Sequence, residues 1–455
     1  VYDQYIHKIY NTENRVAEFS KIKFGFFFIG QLYKIFSLKD KIVPKDILFL
    51  VFPRKTLVNQ QYYCTQLQPL IDKFKNDCWV LENPFWIEDK SYLTSHFTPQ
   101  EKNMTYTDKI EIRHRLRMVF LNLFKGKKFK TQYYEEITSF CDYINKNLGI
   151  NINVDELIKQ IFWYVSFEKY ASKYYEKILK QLSPKCLIEV YTPNHQIALL
   201  NTVAHKLGIP VIDIQHGAIG NYEPIMYSYY QKRSYAHLSD YIFVFGDYWK
   251  RKSNFHVNSN CVIPVGIPFL ENNVKKMRLY TEKTNTIVII SQARYSKSFY
   301  DLALTLQRDY KISSQNKILL KLHPYEYSLY KQGYYKNLEN EGIQVAAGLN
   351  KHLYDYFRMA TCVIGVNSTA LYEALAFNKP IYIYKNKYGT ENLVELSNSI
   401  PLINIFENIE MLIEQIKNMK DGKNNNINYI FSDNAMERML QAIKQICNIE
   451  PFERK

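Results

Sequence analysis

The chain has 455 residues, 47% hydrophobic and 23% charged, which excludes a disordered chain and calls for two cores rather than one. A formal net charge of +15 points to anionic partners, but no zinc-finger spacing, RNP-like segment or basic zipper is present. Phosphates and membrane surfaces are therefore expected ahead of nucleic acid.

In chain order, the first apolar stretch is Phe24–Phe36 (FGFFFIGQLYKIF), interrupted by Gly25, Gly30, Gln31 and Lys34. It falls short of the ~20 residues of a membrane span and reads instead as a candidate for a membrane surface. Short apolar runs predict strands at Ile47–Phe52 and Cys78–Leu81, followed by a largely helical insertion from about Thr105 to Leu182. Within it, Lys109–Tyr134 holds eight Lys/Arg residues and one acid, Glu111, with Leu116, Val119, Phe120, Leu123 and Phe124 at helical spacing. Such a stretch is either a core-facing helix with a solvated side or a basic amphipathic helix for an anionic membrane.

Strands resume at Cys186–Tyr191, Val211–Gln215, Tyr241–Phe245 and Cys261–Val265. The polar segment Glu271–Asn285 reads as a linker. A second series follows at Ile287–Ile290, Lys317–Leu322, Ile343–Ala346, Cys362–Val366, Pro380–Tyr384 and Leu402–Ile405. After the polar patch 421–429, Asp433–Cys447 reads as a helix. The alternation is that of parallel α/β architecture. It divides the chain into 1–270, carrying the insertion at about 105–182, then 286–432, and a C-terminal piece, 433–455, expected to pack back on the first domain. Two Rossmann-like doubly wound domains facing an interdomain cleft are the organisation called GT-B, and ligands are expected in that cleft.

Three strand ends carry the candidate chemistry. Val211–Ile219 (VIDIQHGAI) runs from a strand into the turn Gln215-His216-Gly217. Gly217 lets the backbone approach a ligand, and His216 becomes a candidate general base. Lys317–Pro324 (KILLKLHP) places Lys321 and His323 on one side of a strand, with Pro324 ending the ladder, as a candidate phosphate or leaving-group site. In Gly365–Leu375 (GVNSTALYEAL), Asn367, Ser368 and Thr369 start a helix whose first amides suit a pyrophosphate. Glu373, one turn on, is placed to hold ribose hydroxyls. Gly266 in PVGIP and Arg294 after the next strand are further donor-side candidates. Glu189 and Asp213 sit inside apolar strands, where a carboxylate is costly unless paired or functional. Either acid could orient His216 or His195 or serve as the base itself, Glu189 being the stronger competitor of His216.

No DxD pair, Walker A loop, GxGxxG after a strand or GxSxG elbow is present. No metal or other cofactor is therefore expected. The seven cysteines form no CxxC pair, which fits a reduced, cytoplasmic setting.

The succession QHG, a VFG…W strand (Phe243–Trp249), VGIP, KLHP and NSTALYEAL…KP resembles bacterial GT-B enzymes of surface-polysaccharide synthesis. That group holds capsule and lipopolysaccharide glycosyltransferases, with CDP-glycerol glycerophosphotransferases and polysialyltransferases as relatives. The resemblance covers about Cys186 to Lys385. It implies a proposed base at His216, a donor-phosphate histidine at His323, and Ser368 and Thr369 facing the nucleotide diphosphate. Gln215 replaces a usual Trp, and Asn367-Ser368-Thr369 replaces a common Asp-Tyr-Ser, departures that favour sugar transfer over polyol phosphate transfer. The expected function is a metal-independent glycosyltransferase that moves a sugar from a nucleotide-activated donor to a growing capsule or lipopolysaccharide glycan, lipid-linked or polymeric. The inner face of the plasma membrane is its expected place. The alternatives are a CDP-polyol phosphotransferase, a GT-B-like UDP-sugar 2-epimerase, and a non-catalytic glycan-lipid-binding scaffold.

Overall fold

The computed structural model describes residues 42–448 except 52–55, 59–60, 84, 88–89, 96–102, 191–194, 221–226, 228, 230–234, 278–284, 349–350, 386–388 and 420–425. Phe24–Phe36 lies outside the described residues. In the first half the strands are β1 (Ile47–Val51), the hairpin β2–β3 (Thr56–Val58, Gln61–Tyr63), β4 (Cys78–Glu82), the hairpin β5–β6 (Phe85–Ile87, Lys90–Ser95), β7 (Met104–Tyr106), β8 (Cys186–Val190), β9 (Val211–Ile214), β10 (Tyr241–Val244) and β11 (Val262–Pro264). The second half adds β12 (Thr286–Ile290), β13 (Lys317–Lys321), β14 (Gln344–Ala346), β15 (Ala360–Gly365), β16 (Ile381–Tyr384) and β17 (Ile403–Phe406).

Two parallel sheets result, ordered β11-β10-β9-β8-β1-β4-β7 and β14-β13-β12-β15-β16-β17. Runs such as ILFLV and TIVII are buried at every residue because helices cover both faces of each sheet. In both sheets the chain starts in the middle, winds to one edge and returns to wind to the other. The reversal falls between β1 and β8 in the first sheet and between β12 and β15 in the second. Each reversal opens a crevice at the carboxyl ends of its strands. This is the two-domain GT-B architecture expected from the alternating pattern.

Four features differ from the sequence reading. The antiparallel hairpins β2–β3 and β5–β6 were not expected. Met104–Tyr106 adds a seventh strand beside β4, where a helix was expected to begin. The first half of the expected linker is helical, over Pro268–Met277, and buries Phe269 and Leu270. The insertion is three helices, Asp108–Leu121, Lys127–Leu148 and Val154–Leu182, the first two joined by a π-helical turn at Asn122–Gly126. The long helix starts at Asn153, whose side chain accepts a hydrogen bond from the Glu156 amide, with Asp155 and Glu156 complementing the dipole. Its stripe Phe167, Ala171, Tyr175, Ile178 and Leu182 packs on Leu48, Leu50 and Leu187 of the first sheet.

The chain crosses between the halves twice. After β17 it returns, and helix Ala435–Cys447 lays Met439, Ile443 and Cys447 against Ile47, Phe49 and Ile188. At the crossing a Cβ on Gly246 would lie 2.5 Å from the Ile430 carbonyl oxygen, and one on Gly266 (φ +80°) 2.2 Å from that of Ser432. Trp249 packs edge-on to Tyr372 with ring centroids 4.9 Å apart, and donates its indole N–H to the Ile430 carbonyl at 2.9 Å. One apolar cluster therefore runs from Ile242 and Val244 through Trp249 into Val288 and Leu371. Among the described residues no helix is long and apolar enough to cross a membrane.

Candidate active site

On the first-domain side the site begins where β9 ends. Gln215 is fully buried, donates to the Gly217 carbonyl at 2.7 Å and accepts from the Phe245 amide at 2.8 Å. A single amide side chain thus fixes the turn to the end of β10. That hydrogen-bonding requirement is met by Gln and not by an aromatic residue. His216 is held half-buried on this turn, its ring 6.3 Å from that of Tyr227.

The turn meets the second domain directly. The Ala218 amide donates to Thr369 Oγ1 at 2.8 Å, and a Cβ on Gly217 would approach that oxygen to 3.0 Å. Asn392 Nδ2 donates to the Ile219 carbonyl at 2.8 Å. The close approach that Gly217 allows is therefore, in this structure, to the start of helix Thr369–Ala376. Because Thr369 Oγ1 accepts from Ala218, its own proton is left to donate elsewhere.

On the second-domain side, β13, β12 and β15 are neighbours, so His323, Gln292 and Asn367-Ser368 stand on successive strand ends about 4.8 Å apart. The reversal crevice is bridged by Gln292, whose Nε2 donates to Asn367 Oδ1 at 2.7 Å. Asn367 is hemmed in from the other side by Gly389 (φ +88°), where a Cβ would fall 2.0 Å from its Nδ2. Ser368 caps the helix, accepting from the Ala370 amide over a long 3.3 Å. Arg294 is exposed on the short turn after β12.

His323 is held by a capping box. Its Nδ1 accepts from the Tyr325 amide at 3.2 Å, and its own amide donates to Glu326 at 2.9 Å. An imidazole whose Nδ1 accepts carries its proton, when neutral, on Nε2. His323 is thereby preset as a hydrogen-bond donor, not a base. Glu326 is wholly buried and also accepts from Ser291 at 2.8 Å and Tyr335 at 2.7 Å, which anchors the loop to the end of β12. Pro324 is exposed on the same turn. Lys321 donates to Tyr327 at 3.0 Å and to the Leu322 carbonyl at 3.1 Å, and burial pushes its ammonium down to about 8.

Glu373 faces Tyr354, which hydrogen-bonds to it, and burial pushes its carboxyl up to about 8 against that bond. A carboxyl held this way is largely protonated at neutral pH and can both donate and accept toward a diol.

The remaining candidates stand elsewhere. Glu189 is 0% exposed near the end of β8 and accepts from Asn201 at 2.8 Å. Asp213 lies beside it on β9, in register and also buried. His195 is wedged edge-on against Tyr164 at 4.8 Å, and burial pushes its pKa down. Gly266 serves the chain crossing at Ser432, so its close approach is to backbone and not to a ligand. Residues not singled out from sequence are Gln292, Glu326, Tyr327 and Tyr354. Of these only Glu326 has a local signal, the acid three residues after a capping side chain. Among the described residues no three His, Cys, Asp or Glu side chains gather around a point where one metal ion would sit.

No protein-family model matches the chain, and no curated protein matches it. Solved structures do share its architecture. The UDP-GlcNAc 2-epimerase of Methanocaldococcus jannaschii is 13% identical, with a TM-score of 0.50 over 89% of this chain and 99% of that one. S. aureus MnaA, solved with UDP, is 11% identical at 0.51 over 90% and 100%. UDP-GlcNAc 2-epimerase from Neisseria meningitidis, bound to UDP-GlcNAc, is 12% identical at 0.50 over 89% and 100%. At these identities the likeness is one of fold.

Proposed function

We propose that the chain transfers a sugar from a nucleotide-activated donor to a growing bacterial surface glycan, capsule or lipopolysaccharide, without a metal. The observation that carries this reading is the hydrogen bond from Ala218 to Thr369. It sets the turn bearing His216 directly against the helix start at the second sheet's reversal crevice. The donor phosphates lie in that crevice, against the Thr369 amide and hydroxyl, with Arg294 adding charge from the lip. Asn367, Gln292 and Lys321 fix its walls. Glu373 and Tyr354 take the ribose hydroxyls.

In the transfer step His216 accepts the proton of an acceptor hydroxyl as its oxygen attacks the anomeric carbon. The bond from that carbon to the phosphate oxygen breaks, and its electron pair leaves on the nucleotide. His323, its Nε2–H preset, donates to the departing phosphate. Glu189 and Asn201 keep the strand beneath the turn in place, as positioning residues.

The first test is a thermal-shift panel of UDP, CDP, CMP, GDP and dTDP. UDP is the first nucleotide to try, because structures of this fold hold UDP or UDP-GlcNAc. A shift with one nucleotide is expected, and its loss in His323→Asn; no shift with any would overturn the reading. The fold likeness to 2-epimerases makes epimerisation the second reading. It predicts exchange of the sugar C2 proton with deuterium from solvent when the UDP-sugar is given without acceptor. A transferase leaves that proton in place.

A further inference from the structure

The helical insertion presents an apolar, cationic tip that the proposed reaction does not use. Val119, Phe120 and Phe124 are 58%, 67% and 80% exposed within six residues of one another. Phe120 and Phe124 are four residues apart and flank the start of the π-helical turn Asn122–Gly126. Helical residues four apart share a face. Exposed Lys125, Lys127 and Lys128 follow at once, and Arg115 and Arg117 precede on the same helix. From Ile112 to Tyr134 there are seven Lys/Arg residues and no Asp or Glu. Scattered exposed apolar residues are ordinary on a protein surface; large aromatics grouped inside an all-cationic segment are not.

The tip also lies at a defined place. His195, just beyond the end of β8, touches Tyr164 and Phe167 of the long helix at 4.8 and 6.0 Å. The residues of that helix before Tyr164 therefore extend past the carboxyl edge of the first sheet, by about 15 Å at 1.5 Å per residue. Phe129 packs on Phe162 at 5.0 Å, and Lys130 pairs with Asp155 at 2.8 Å, so the 119–130 turn rides on this overhang. It stands at the end of the sheet where the cleft opens.

We infer that this tip docks on an anionic lipid bilayer, the phenylalanines entering the interface and the lysines meeting lipid phosphates. Charge complementarity selects this occupant. A second copy of the chain would oppose seven cations to seven cations, whereas an anionic leaflet attracts each of them. The inference stands apart from the reading of the cleft, because docking requires neither donor nor catalysis.

The test is flotation of the full chain with vesicles of phosphatidylcholine alone or mixed with phosphatidylglycerol. Binding to the mixed vesicles is expected to be at least about tenfold stronger, and to weaken with added salt. Phe120→Ser with Phe124→Ser, and separately Lys125→Gln with Lys127→Gln and Lys128→Gln, should each reduce it about tenfold or more with an unchanged melting temperature. Both sets change exposed side chains only. Equal binding to the two kinds of vesicle, no binding, or binding indifferent to both variants would overturn the inference. So would light scattering that shows a dimer abolished by the phenylalanine changes.

Discussion

His323 and His352 occupy the same local structure and have different surroundings. Each caps a short helix, accepting from the amide two residues on, Tyr325 at 3.2 Å and Tyr354 at 3.1 Å. Each donates its own amide to the acid three residues on, Glu326 at 2.9 Å and Asp355 at 3.1 Å. His323 follows β13, next to the reversal crevice, beside a Tyr325 that is 66% exposed. His352 follows the edge strand β14 and is enclosed by Phe269 and Tyr354, and burial pushes its pKa down to about 4. The capping box itself is thus silent about function. What separates a structural histidine from one available to a ligand is the strand that delivers it.

The largest break in that comparison should come from catalysis. Asn can keep the N-cap but has nothing at the Nε2 position, so His323→Asn should lower turnover about 10²- to 10³-fold with an unchanged melting temperature. His352→Asn should leave turnover within about twofold, since it alters no group assigned to the phosphates. Equal losses in steady-state assays would erase the distinction. Next in size is the acid of each box. Removing buried Glu326 leaves Ser291, Tyr335 and the His323 amide without their acceptor, and Glu326→Ala should cost about 3 kcal/mol in urea unfolding. Asp355→Ala, at a partly exposed site shared with Arg358, should cost about 1 kcal/mol.

The comparison also predicts a pH dependence. His352 has a folded pKa depressed from 6.5 to about 4, so its contribution is complete above 6.5 and is lost as pH falls through that window. Partial exposure of the ring limits the loss to about 2 kcal/mol, and His352→Asn should flatten it in a stability-versus-pH series.

Most strands were legible because both faces of each sheet are covered, which writes them as short unbroken apolar runs such as CLIEV and TIVII. Met104–Tyr106 left no such run, since its three residues are held by the edge of β4 and not by their own pattern. The helix Pro268–Met277 was hidden in a polar segment because only its first turn is buried. At the site, the strand ends were legible and the reasons for their residues were not. Gly217 meets Thr369 and Gly266 meets Ser432, partners more than 150 residues away that no local window contains. Glu189 stood out as a carboxylate in an apolar strand, but the Asn201 that satisfies it lies on the following helix. Its isolation in the sequence marked a carboxylate that is buried and hydrogen-bonded to the neighbouring helix.

The double passage of the chain between its halves has a mechanical consequence. Gly246 lies on Ile430 and Gly266 on Ser432, so the returning chain is pressed, backbone on backbone, against the loops that follow β10 and β11. A side chain at either glycine would therefore lift the returning chain off the first domain, beside the Trp249 contacts to Ile430 and Tyr372 that tie the halves together.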